Sequence, residues 1–366
     1  MIVIKSNIMS GRWLEYKLAR MSLKLRKELN VNLGEFIRFK NDTILQVDRA
    51  FNEDILKYGE DKIFVTSDTF NLIDNNNDIE IVDTITMGCD PELFIVNRYS
   101  GKLIPSSNFF KKWDSIGYDG LLCELRPNPH IKPEIVTNTL FGMINTIQNK
   151  YIEQGLTQLM SYASSAAFGL TAGFHCHMGI PKNLLNKRSP NYQTYVNMLV
   201  KTLDYYVGVL SIIPEGTAEN QRRCAPFVSY GKVSDYRIDN RTLEYRVPGG
   251  ALLKSPALAC GLMSLCSLVS TDVISKLKDY TNDFKHTQIP AEKILLKELY
   301  PNVPEIKELY QLICVPDTTS AVKISESIFD ELSNMLDYKK HKKNVVAFKD
   351  SIYKNTSNDI WNNWKE

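Results

Sequence analysis

The sequence predicts an α+β protein in which a mixed central domain follows a small β-rich region and precedes a helical one. Residues 1–84 contain short β-like runs separated by polar turns. From Asp83 to about Gly250, β-like runs alternate with long helical patterns, which indicates a domain with a sizeable sheet. After Lys254 the apolar spacing is helical, and prolines mark the helix boundaries. The predicted domains are 1–84, 85–285 and 286–366.

The β-rich region contains four predicted strands, at Ile2–Ile4, Phe36–Phe39, Thr43–Val47 and Lys62–Val65. Within it, the stretch ARMSLKLRKELNVNLGEFIRF resembles half of a double-psi barrel, as in the N-terminal domains of some AAA ATPases. The stretch carries no chemical motif. The four strands and this resemblance together predict a small β-rich domain of the double-psi-barrel type.

Two long helices are predicted in the central domain. Pro133 suits a first helical turn, and apolar residues then recur at helical spacing through Glu134–Gln158. Tyr192–Ile213 shows the same spacing. Ser255–Thr271 carries no charge, but it is shorter than the roughly 20 residues that a bilayer-spanning helix needs. We therefore predict a buried core helix there, and an amphipathic, Lys-rich helical tail at Ser325–Lys365.

The composition gives no argument for a nucleic acid or a membrane as partner. Lys and Arg number 44 against 42 for Asp and Glu, which gives a formal charge of +2. The seven cysteines include no CxxC pair, as expected for reduced thiols. The N-terminus lacks the pattern of a secretion signal. These features predict a cytoplasmic protein whose function lies in local sites.

Four short segments place two polar residues at positions i and i+2: MGCDPELFIV, LLCELRPNP, GFHCHMGIP and RTLEYRVPGG. In a strand, residues i and i+2 project to the same side. We therefore predict a charged sheet face, with Cys123, Cys176 and Tyr245 pointing the other way. The four pairs, called the dyads below, are Asp90/Glu92, Glu124/Arg126, His175/His177 and Glu244/Arg246.

The charge of these dyads predicts bound cations. Burying a carboxylate costs several kcal/mol unless positive charge compensates, and four carboxylates face only two arginines and two histidines. Carboxylates suit Mg²⁺ or Mn²⁺, and Mn²⁺ also tolerates imidazole. Arg126 and Arg246 would then clamp anionic oxygens, for which the planar guanidinium is well shaped.

Each dyad taken alone has a simpler interpretation. Asp90/Glu92 fits a solvated strand end, because Pro91 favours an edge. The HxH segment lacks the further ligands of the strong zinc motifs. A Glu/Arg pair at i and i+2 is most often an exposed ion pair worth about 0.5 kcal/mol. The joint occurrence of four dyads, all flanked by apolar strand sequence, favours one shared site.

Further candidates lie in the turns around the dyads. Asp119 precedes Gly120 in a turn before the second dyad, so it either reaches the crevice or caps the turn. A glycine-containing loop with several cations precedes the fourth dyad, and such loops commonly hold phosphates, although solvated cations are the alternative. The predicted phosphate contacts are Arg222, Arg223, Lys232 and Arg237.

Residues 85 to about 255 resemble the phage-type COOH-NH2 ligases, a branch of the glutamine synthetase and glutamate-cysteine ligase superfamily. The matching segments are GCDPELF, DGLLCELRPNP, GFHCHMG and SYGKVSDYR with RTLEYRVPGG, in this order and spacing. The resemblance implies a glutamine synthetase-like domain, with a curved, mostly antiparallel sheet and helices on its outer side.

The resemblance also implies residue roles. Arg246 contacts the transferring phosphate or the substrate acid, and Arg126 and Arg241 are further carriers of that role. His177 supports His175 or touches the substrate. Asp90 stands where glutamate-cysteine ligases have Glu, so a metal lies further from its carboxylate unless the backbone shifts or a water bridges. The implied metal ligands are Asp90, Glu92, Glu124, His175 and Glu244, with Asp119 as a further candidate.

The implied reaction is ATP-dependent ligation of a carboxylate to an amine through an acyl phosphate, with Mg²⁺ or Mn²⁺ holding ATP. The substrates would be amino acids, peptides or proteins, in the host cytoplasm if the protein is phage-encoded. Two other functions stay open. A zinc-dependent hydrolase would use His175, His177 and the acids, and a non-catalytic protein would keep the fold as a partner-binding surface.

Overall fold

A computed structural model describes most of the chain. The described residues are 2–6, 18–31, 33–73, 79–82, 84–152, 156–165, 167–180, 191–224, 230–238, 242–283, 292–315 and 317–365.

The N-terminal region forms a six-stranded mixed sheet with its own apolar core. The strands lie in the order β1-β5-β2-β4-β3-β6, with β1/β5 and β2/β4 parallel and the other pairs antiparallel. Its elements are β1 (Ile2–Lys5), β2 (Leu18–Met21), α1 (Leu23–Glu28), β3 (Phe36–Phe39), β4 (Ile44–Arg49), α2 (Asn52–Tyr58), β5 (Lys62–Val65), α3 (Ser67–Leu72) and β6 (Ile79–Val82).

The four strands that the sequence predicted in this region match β1, β3, β4 and β5. The short helices α1, α2 and α3 were not predicted, because six or seven residues are too few to show a helical period. Side-chain caps specify two of their starts. Ser22 accepts from the Leu25 N–H at the start of α1, and Thr66 accepts from the Thr69 N–H at the start of α3.

The central sheet is built around the 12-residue strand β7 (Thr86–Asn97). It runs in the order β14-β15-β13-β7-β9-β8, β10 also pairs with β7, and every pairing is antiparallel. The other strands are β8 (Ile116–Asp119), β9 (Leu122–Leu125), β10 (Thr157–Met160), the short pair β11 (Ser164–Ser165) and β12 (Leu170–Thr171), β13 (Phe174–Gly179), β14 (Tyr236–Ile238) and β15 (Leu243–Tyr245).

Helices cover one face of this sheet. The bounds are α4 (Pro133–Thr146), α5 (Tyr192–Leu203), α6 (Val209–Ser211), α7 (Gly216–Asn220), α8 (Pro256–Asp283), α9 (Glu292–Leu299), α10 (Ile306–Ile313), α11 (Thr319–Leu332), α12 (Tyr338–Ile352) and α13 (Ile360–Trp364). Helix α8 packs on β7 and β13, and α4, α5 and α12 pack on α8. The predicted mixed α+β fold with a mostly antiparallel sheet is therefore confirmed.

The alternation of side chains gives the sheet one apolar and one polar face. The three residues predicted to point away from the charged face, Cys123, Cys176 and Tyr245, are fully buried. They lie in the main core, with Met87, Leu93 and Phe174 from neighbouring strands. The period of two in the sequence therefore predicted both faces correctly.

Helix α8 is long and apolar enough to cross a membrane, by length and composition alone. Within the protein, 89% of its most apolar window is buried, so it is the core helix that the sequence predicted. Gly261 on this helix faces Phe348 of α12, and an added Cβ would overlap that ring. The missing side chain therefore lets the two helices approach closely.

One helix prediction is wrong at its end. Helix α4 continues as a single π-helical turn over Ile147–Tyr151, whereas Thr157–Met160 forms β10 beside β7. Thr157 and Leu159 alternate with more exposed neighbours, which is a strand pattern. The second long helix is confirmed, although its middle at Asp204–Gly208 is π-helical. The domain boundaries stay predictions.

Candidate metal and substrate site

The strand register brings all four dyads onto the polar face of the central sheet. Strands β7, β9, β13 and β15 each carry one dyad, and they are neighbours in the sheet. Directly opposed residues are Asp90 and His175, Glu92 and Glu124, and His177 and Glu244.

Asp90, His177 and Glu244 form the tightest group of metal-binding donors among the described residues. One ligand atom from each lies within 4.8 Å of the others. Asp90 Oδ1 and His177 Nε2 are buried without a hydrogen-bond partner in the part of the chain that the structure describes. Burial opposes ionisation of Asp90, but His177 and His175 hold its pKa below the ordinary value. Two carboxylates and an imidazole, with an unpaired atom on Asp90 and on His177, fit a divalent cation such as Mn²⁺.

One ring nitrogen of His175 faces the carboxylates of Asp90 and Glu244, and the other contacts Tyr230. Its Nδ1 lies 3.0 Å from Asp90 Oδ1 and 3.5 Å from Glu244 Oε1. Its Nε2 lies 2.6 Å from the hydroxyl of Tyr230. Burial lowers the pKa of His175, but the charge of Asp90 outweighs burial and raises it above the ordinary value. His177, which the sequence had assigned a supporting role, therefore stands beside the predicted ligand His175 as a further candidate ligand.

Glu92 and Glu124 form a second acidic pair on the same face. Glu92 Oε2 accepts from the Gly173 N–H at 2.6 Å and from the Tyr230 hydroxyl at 3.0 Å. Burial raises the pKa of Glu92, and burial together with Asp90 raises that of Glu124 to about 8. Burial is the largest cause of both shifts, and the negative charge of Asp90 adds to each. A bound cation would oppose both shifts.

Arg126 serves the fold here and is not the free anion clamp that the sequence predicted. It pairs with Glu124, and its Nη1 donates to the carbonyls of Lys112 and Asp114 at 3.1 and 3.0 Å. Its side chain is 5% exposed. Arg126 therefore ties the loop before β8 to β9. The loop before β8 folds back over the end of β9. Strand periodicity describes only residues within one strand, so it did not predict these contacts.

Arg246 keeps an arrangement suited to an anion. Its Nε lies 3.2 Å from Glu244 Oε1, its Nη1 lies 3.9 Å from Asp235 Oδ1, and its side chain is 19% exposed. Its guanidinium carbon lies 5.0 Å from the centroid of the Tyr230 ring. Arg237 is largely exposed and lies 3.4 Å from Glu244 Oε2. Both arginines border the group formed by Asp90, His177 and Glu244, and their roles as anion contacts stay predictions.

Arg223 is a structural residue and not the predicted phosphate contact. All five of its N–H donors are occupied, by Glu215, Asn220 and the carbonyls of Gly231 and Val247. Its side chain is fully buried. No donor is left for a ligand. The sequence did not indicate this, because Arg223 stands directly beside Arg222 and shares its residue type.

Arg222 differs from its neighbour because it is buried with unused donors. Its Nε and Nη1 have no hydrogen-bond partner among the described residues, and its Nε lies 3.8 Å from Glu215 Oε2. Burial and the charge of Arg223 lower its pKa to about 10. Its guanidinium carbon lies 5.7 Å from the Tyr230 ring. Arg222 therefore remains a candidate for anion contact.

The remaining predicted residues lie further out. Asp119 is exposed at the end of β8, although its charge contributes to the raised pKa of Glu124. Lys232 lies near Cys224 and Cys314, whose pKa values its charge lowers against the effect of burial. Arg241 lies outside the described residues.

Sequence reasoning missed three residues that organise the site. Tyr230 touches members of three dyads, Glu215 pairs with Arg223, and the carbonyl of Asp235 accepts from the Arg246 N–H at 3.0 Å. Tyr230 and Asp235 lie in the segment SYGKVSDYR, where only the cations were singled out. For Tyr230 and Asp235, the only available signal was their position in that segment. None of the three residues is spaced two positions from a dyad, so strand alternation could not indicate them.

Comparison with known proteins finds similar solved structures and one matching family. Among similar solved structures is a Plasmodium falciparum glutamine synthetase, with 12% identity over 81% of this chain and 80% of that chain, and a TM-score of 0.42. Another is a bifunctional glutathione synthetase from Pasteurella multocida, with 13% identity over 74% of this chain and a TM-score of 0.38. The chain spans about half of that protein, 52% of its length.

No curated protein sequence matches the chain. The model of the family described as phage phiEco32-like COOH.NH2 ligase-type 2 matches residues 87–309. The matched range is more than half of the chain and contains all four dyads. The chain therefore belongs to the phage phiEco32-like COOH.NH2 ligase family.

Proposed function

We propose that this protein is an ATP-dependent ligase that joins a carboxylate to an amine through an acyl phosphate, on a site that binds Mg²⁺ or Mn²⁺. Family membership supports carboxylate–amine ligation. The proposed metal and ATP site is supported by the convergence of Asp90, His177 and Glu244, whose ligand atoms lie within 4.8 Å of one another beside Arg246. Bound divalent cations would supply charge neutralisation for the ATP phosphates.

The donor set fits such cations. Asp90, His177 and Glu244 would hold one ion together with His175, and the opposed Glu92 and Glu124 offer oxygens for another. Burial and the neighbouring Asp90 raise the pKa values of both glutamates, and a cation bound beside them would oppose that effect.

The protein's own groups account for binding and orientation. The exposed Arg237 and the part-exposed Arg246 would contact phosphate or carboxylate oxygens, with Arg222 behind them. In the reaction, a carboxylate oxygen of the acid bonds to the γ-phosphorus of ATP, and the bond to ADP breaks. The amine nitrogen then bonds to the acyl carbon, inorganic phosphate leaves, and the nitrogen loses a proton. Positioning and charge neutralisation carry this chemistry, so no side-chain nucleophile is needed.

The substrates we propose are an amino acid, a peptide or a protein carrying the carboxylate, and an amine. All seven cysteines are free thiols, which supports a reducing cytoplasm as the compartment, and that cytoplasm would be the host's if the protein is phage-encoded.

The test is phosphate release from ATP with Mg²⁺ or Mn²⁺ across pools of amino acids and peptides, followed by mass spectrometry for a new amide. Glu244→Gln keeps the shape but removes the charge between Arg246 and His175, so we expect at least a ~100-fold loss of turnover. Glu331→Gln is the matched control, since Glu331 binds the Tyr206 hydroxyl in the helical layer. Equal turnover by Glu244→Gln and the wild type would refute the site. Stoichiometric zinc without ATP consumption would indicate a hydrolase instead.

A further inference from the structure

Tyr230 belongs to no dyad but contacts members of three of them. Its hydroxyl lies 2.6 Å from His175 Nε2 and donates to Glu92 Oε2 at 3.0 Å. Its ring stands edge-on to the His175 ring, with centroids 5.4 Å apart and an interplanar angle of 80°. The Arg246 guanidinium lies over the same ring. These contacts hold the phenol from three sides.

The hydrogen-bond roles at this phenol fix the histidine. The phenol has one proton, and that proton goes to Glu92 Oε2, which also accepts from the Gly173 N–H. The phenol oxygen must therefore accept from His175, so Nε2 of that ring carries a hydrogen. The Nδ1 atom then faces the oxygens of Asp90 and Glu244. The two carboxylates favour a proton on Nδ1, and a divalent cation between them that replaced this proton would receive the Nδ1 lone pair.

Gly173 makes room for this contact. A Cβ at this position would overlap both the Tyr230 hydroxyl and Nε2 of His175. The backbone N–H of the same residue donates to Glu92. Residue 173 therefore needs to be glycine for the phenol to reach between the histidine and the glutamate.

We propose that Tyr230 is a positioning residue that holds the His175 ring with Nδ1 directed at a divalent cation shared with Asp90 and Glu244. The proposal rests on the metal-dependent ligase function proposed above, but it concerns metal affinity and not the chemical step. Tyr230 would thereby link the metal site to Arg222 and Arg246, whose guanidinium groups lie over its ring.

The test is the affinity of the full-length protein for Mn²⁺, measured by calorimetry without nucleotide, for the wild type and Tyr230→Phe. Loss of a hydrogen bond that orients a metal-bound histidine weakens metal binding by about 10- to 100-fold, and we expect a loss in that range. In the ligase assay, Tyr230→Phe should need more Mn²⁺ for half-maximal turnover and recover most of the wild-type rate when Mn²⁺ saturates. A purely structural role would lower the rate at every Mn²⁺ concentration.

Tyr300→Phe is the matched control. It also removes a buried phenol that donates to a carboxylate, that of Asp272, but it lies in the helical layer. Its Mn²⁺ affinity should equal that of the wild type. Gly173→Ala is a second test variant, because it keeps the phenol and the histidine but forces them apart, and it should also weaken Mn²⁺ binding.

The outcomes separate this proposal from the proposed function. Mn²⁺ binding by Tyr230→Phe within twofold of the wild type would overturn the role of Tyr230 even if ligation is confirmed. A wild type that binds no Mn²⁺ would overturn it as well. Mn²⁺ binding that depends on Tyr230, without amide formation from any acid and amine, would support the positioning role and refute the ligase.

Discussion

Asp90 and His177 meet diagonally across β7 and β13, with Asp90 Oδ2 3.0 Å from Nε2 of His177. The contact does not satisfy Nε2, which has no hydrogen-bond partner in the described ranges. The charge of Asp90 raises the pKa of His177 against the opposing effect of burial. An acid and an imidazole held this way, with Glu244 directly across from the histidine, are arranged for an ion that replaces the ring proton.

We expect His177→Asn to weaken Mn²⁺ binding about 10-fold or more, because the variant loses one of the three grouped donors. Calorimetric titration of the nucleotide-free protein measures the change. His341→Asn is the control, since that histidine lies on α12, which packs against α8 in the helical layer. Unchanged Mn²⁺ affinity in His177→Asn would return His177 to a supporting role.

The dyads show what the sequence predicts well. Alternation along a strand depends only on backbone geometry, so MGCDPELFIV and GFHCHMGIP place their polar residues on one face whatever the partner strand is. Strand alternation places both His175 and His177 on that face, so it cannot distinguish their roles. What distinguishes them is Tyr230, which contacts His175 from a loop 55 residues away along the chain.

Arg222 and Arg223 show the same limit for loop cations. Both stood out as phosphate contacts, yet they lie in a tight 3₁₀ turn that sends their guanidinium groups to different partners. Glu215 pairs with Arg223 through both carboxylate oxygens. The sequence contains no period that links residue 215 to residue 223, so only the folded chain distinguishes the two arginines.

We expect Arg223→Met to destabilise the fold by about 3–5 kcal/mol, because it leaves the buried Glu215 carboxylate without its main partner. Urea unfolding of the metal-free protein measures the free energy of unfolding. A loss below about 1 kcal/mol, the usual range for an exposed pair, would contradict the structural role.

Arg246→Met should lower turnover and leave stability nearly unchanged, unlike Arg223→Met. Its guanidinium is part-exposed beside Glu244 and Asp235, so we expect less than about 1 kcal/mol of lost stability. Turnover should fall by about 100-fold, because an anion contact in the transition state is lost. The same unfolding and phosphate-release assays apply to both arginine variants. Retained turnover in Arg246→Met would remove it from the anion site.

Gly117→Ala tests how Arg126 holds the loop before β8. An added Cβ would overlap Arg126 Nη1 and would lie 2.9 and 3.0 Å from the carbonyls of Lys112 and Asp114. We expect a loss of about 1–3 kcal/mol in the free energy of unfolding, as for overpacked sites. Gly142→Ala on α4 is the control, because its Cβ meets nothing within 4 Å and alanine favours a helix. Equal stability of the two variants would show that Arg126 does not depend on this close approach.

Asp204 gives a pH dependence that is separate from the metal site. It is fully buried in the π-helical turn of the second long helix. Its Oδ1 accepts from the Tyr245 hydroxyl at 2.9 Å, and its Oδ2 accepts from the Ser234 N–H and hydroxyl at 2.9 and 3.0 Å. Burial outweighs these hydrogen bonds and raises the pKa of Asp204 to about 7, from an ordinary value of 3.8.

Because the folded-state pKa of Asp204 is above the unfolded one, protonation stabilises the fold. The contribution is complete below the unfolded pKa and is lost as the pH rises through the folded pKa. Between about pH 5 and pH 8, the wild type should therefore lose on the order of 3 kcal/mol relative to Asp204→Asn, whose side chain cannot ionise. Urea unfolding of both proteins in EDTA at each pH measures the difference while excluding metal binding. A difference between the two proteins that stays constant with pH would show that Asp204 is ionised in the fold throughout, with its three donors outweighing burial.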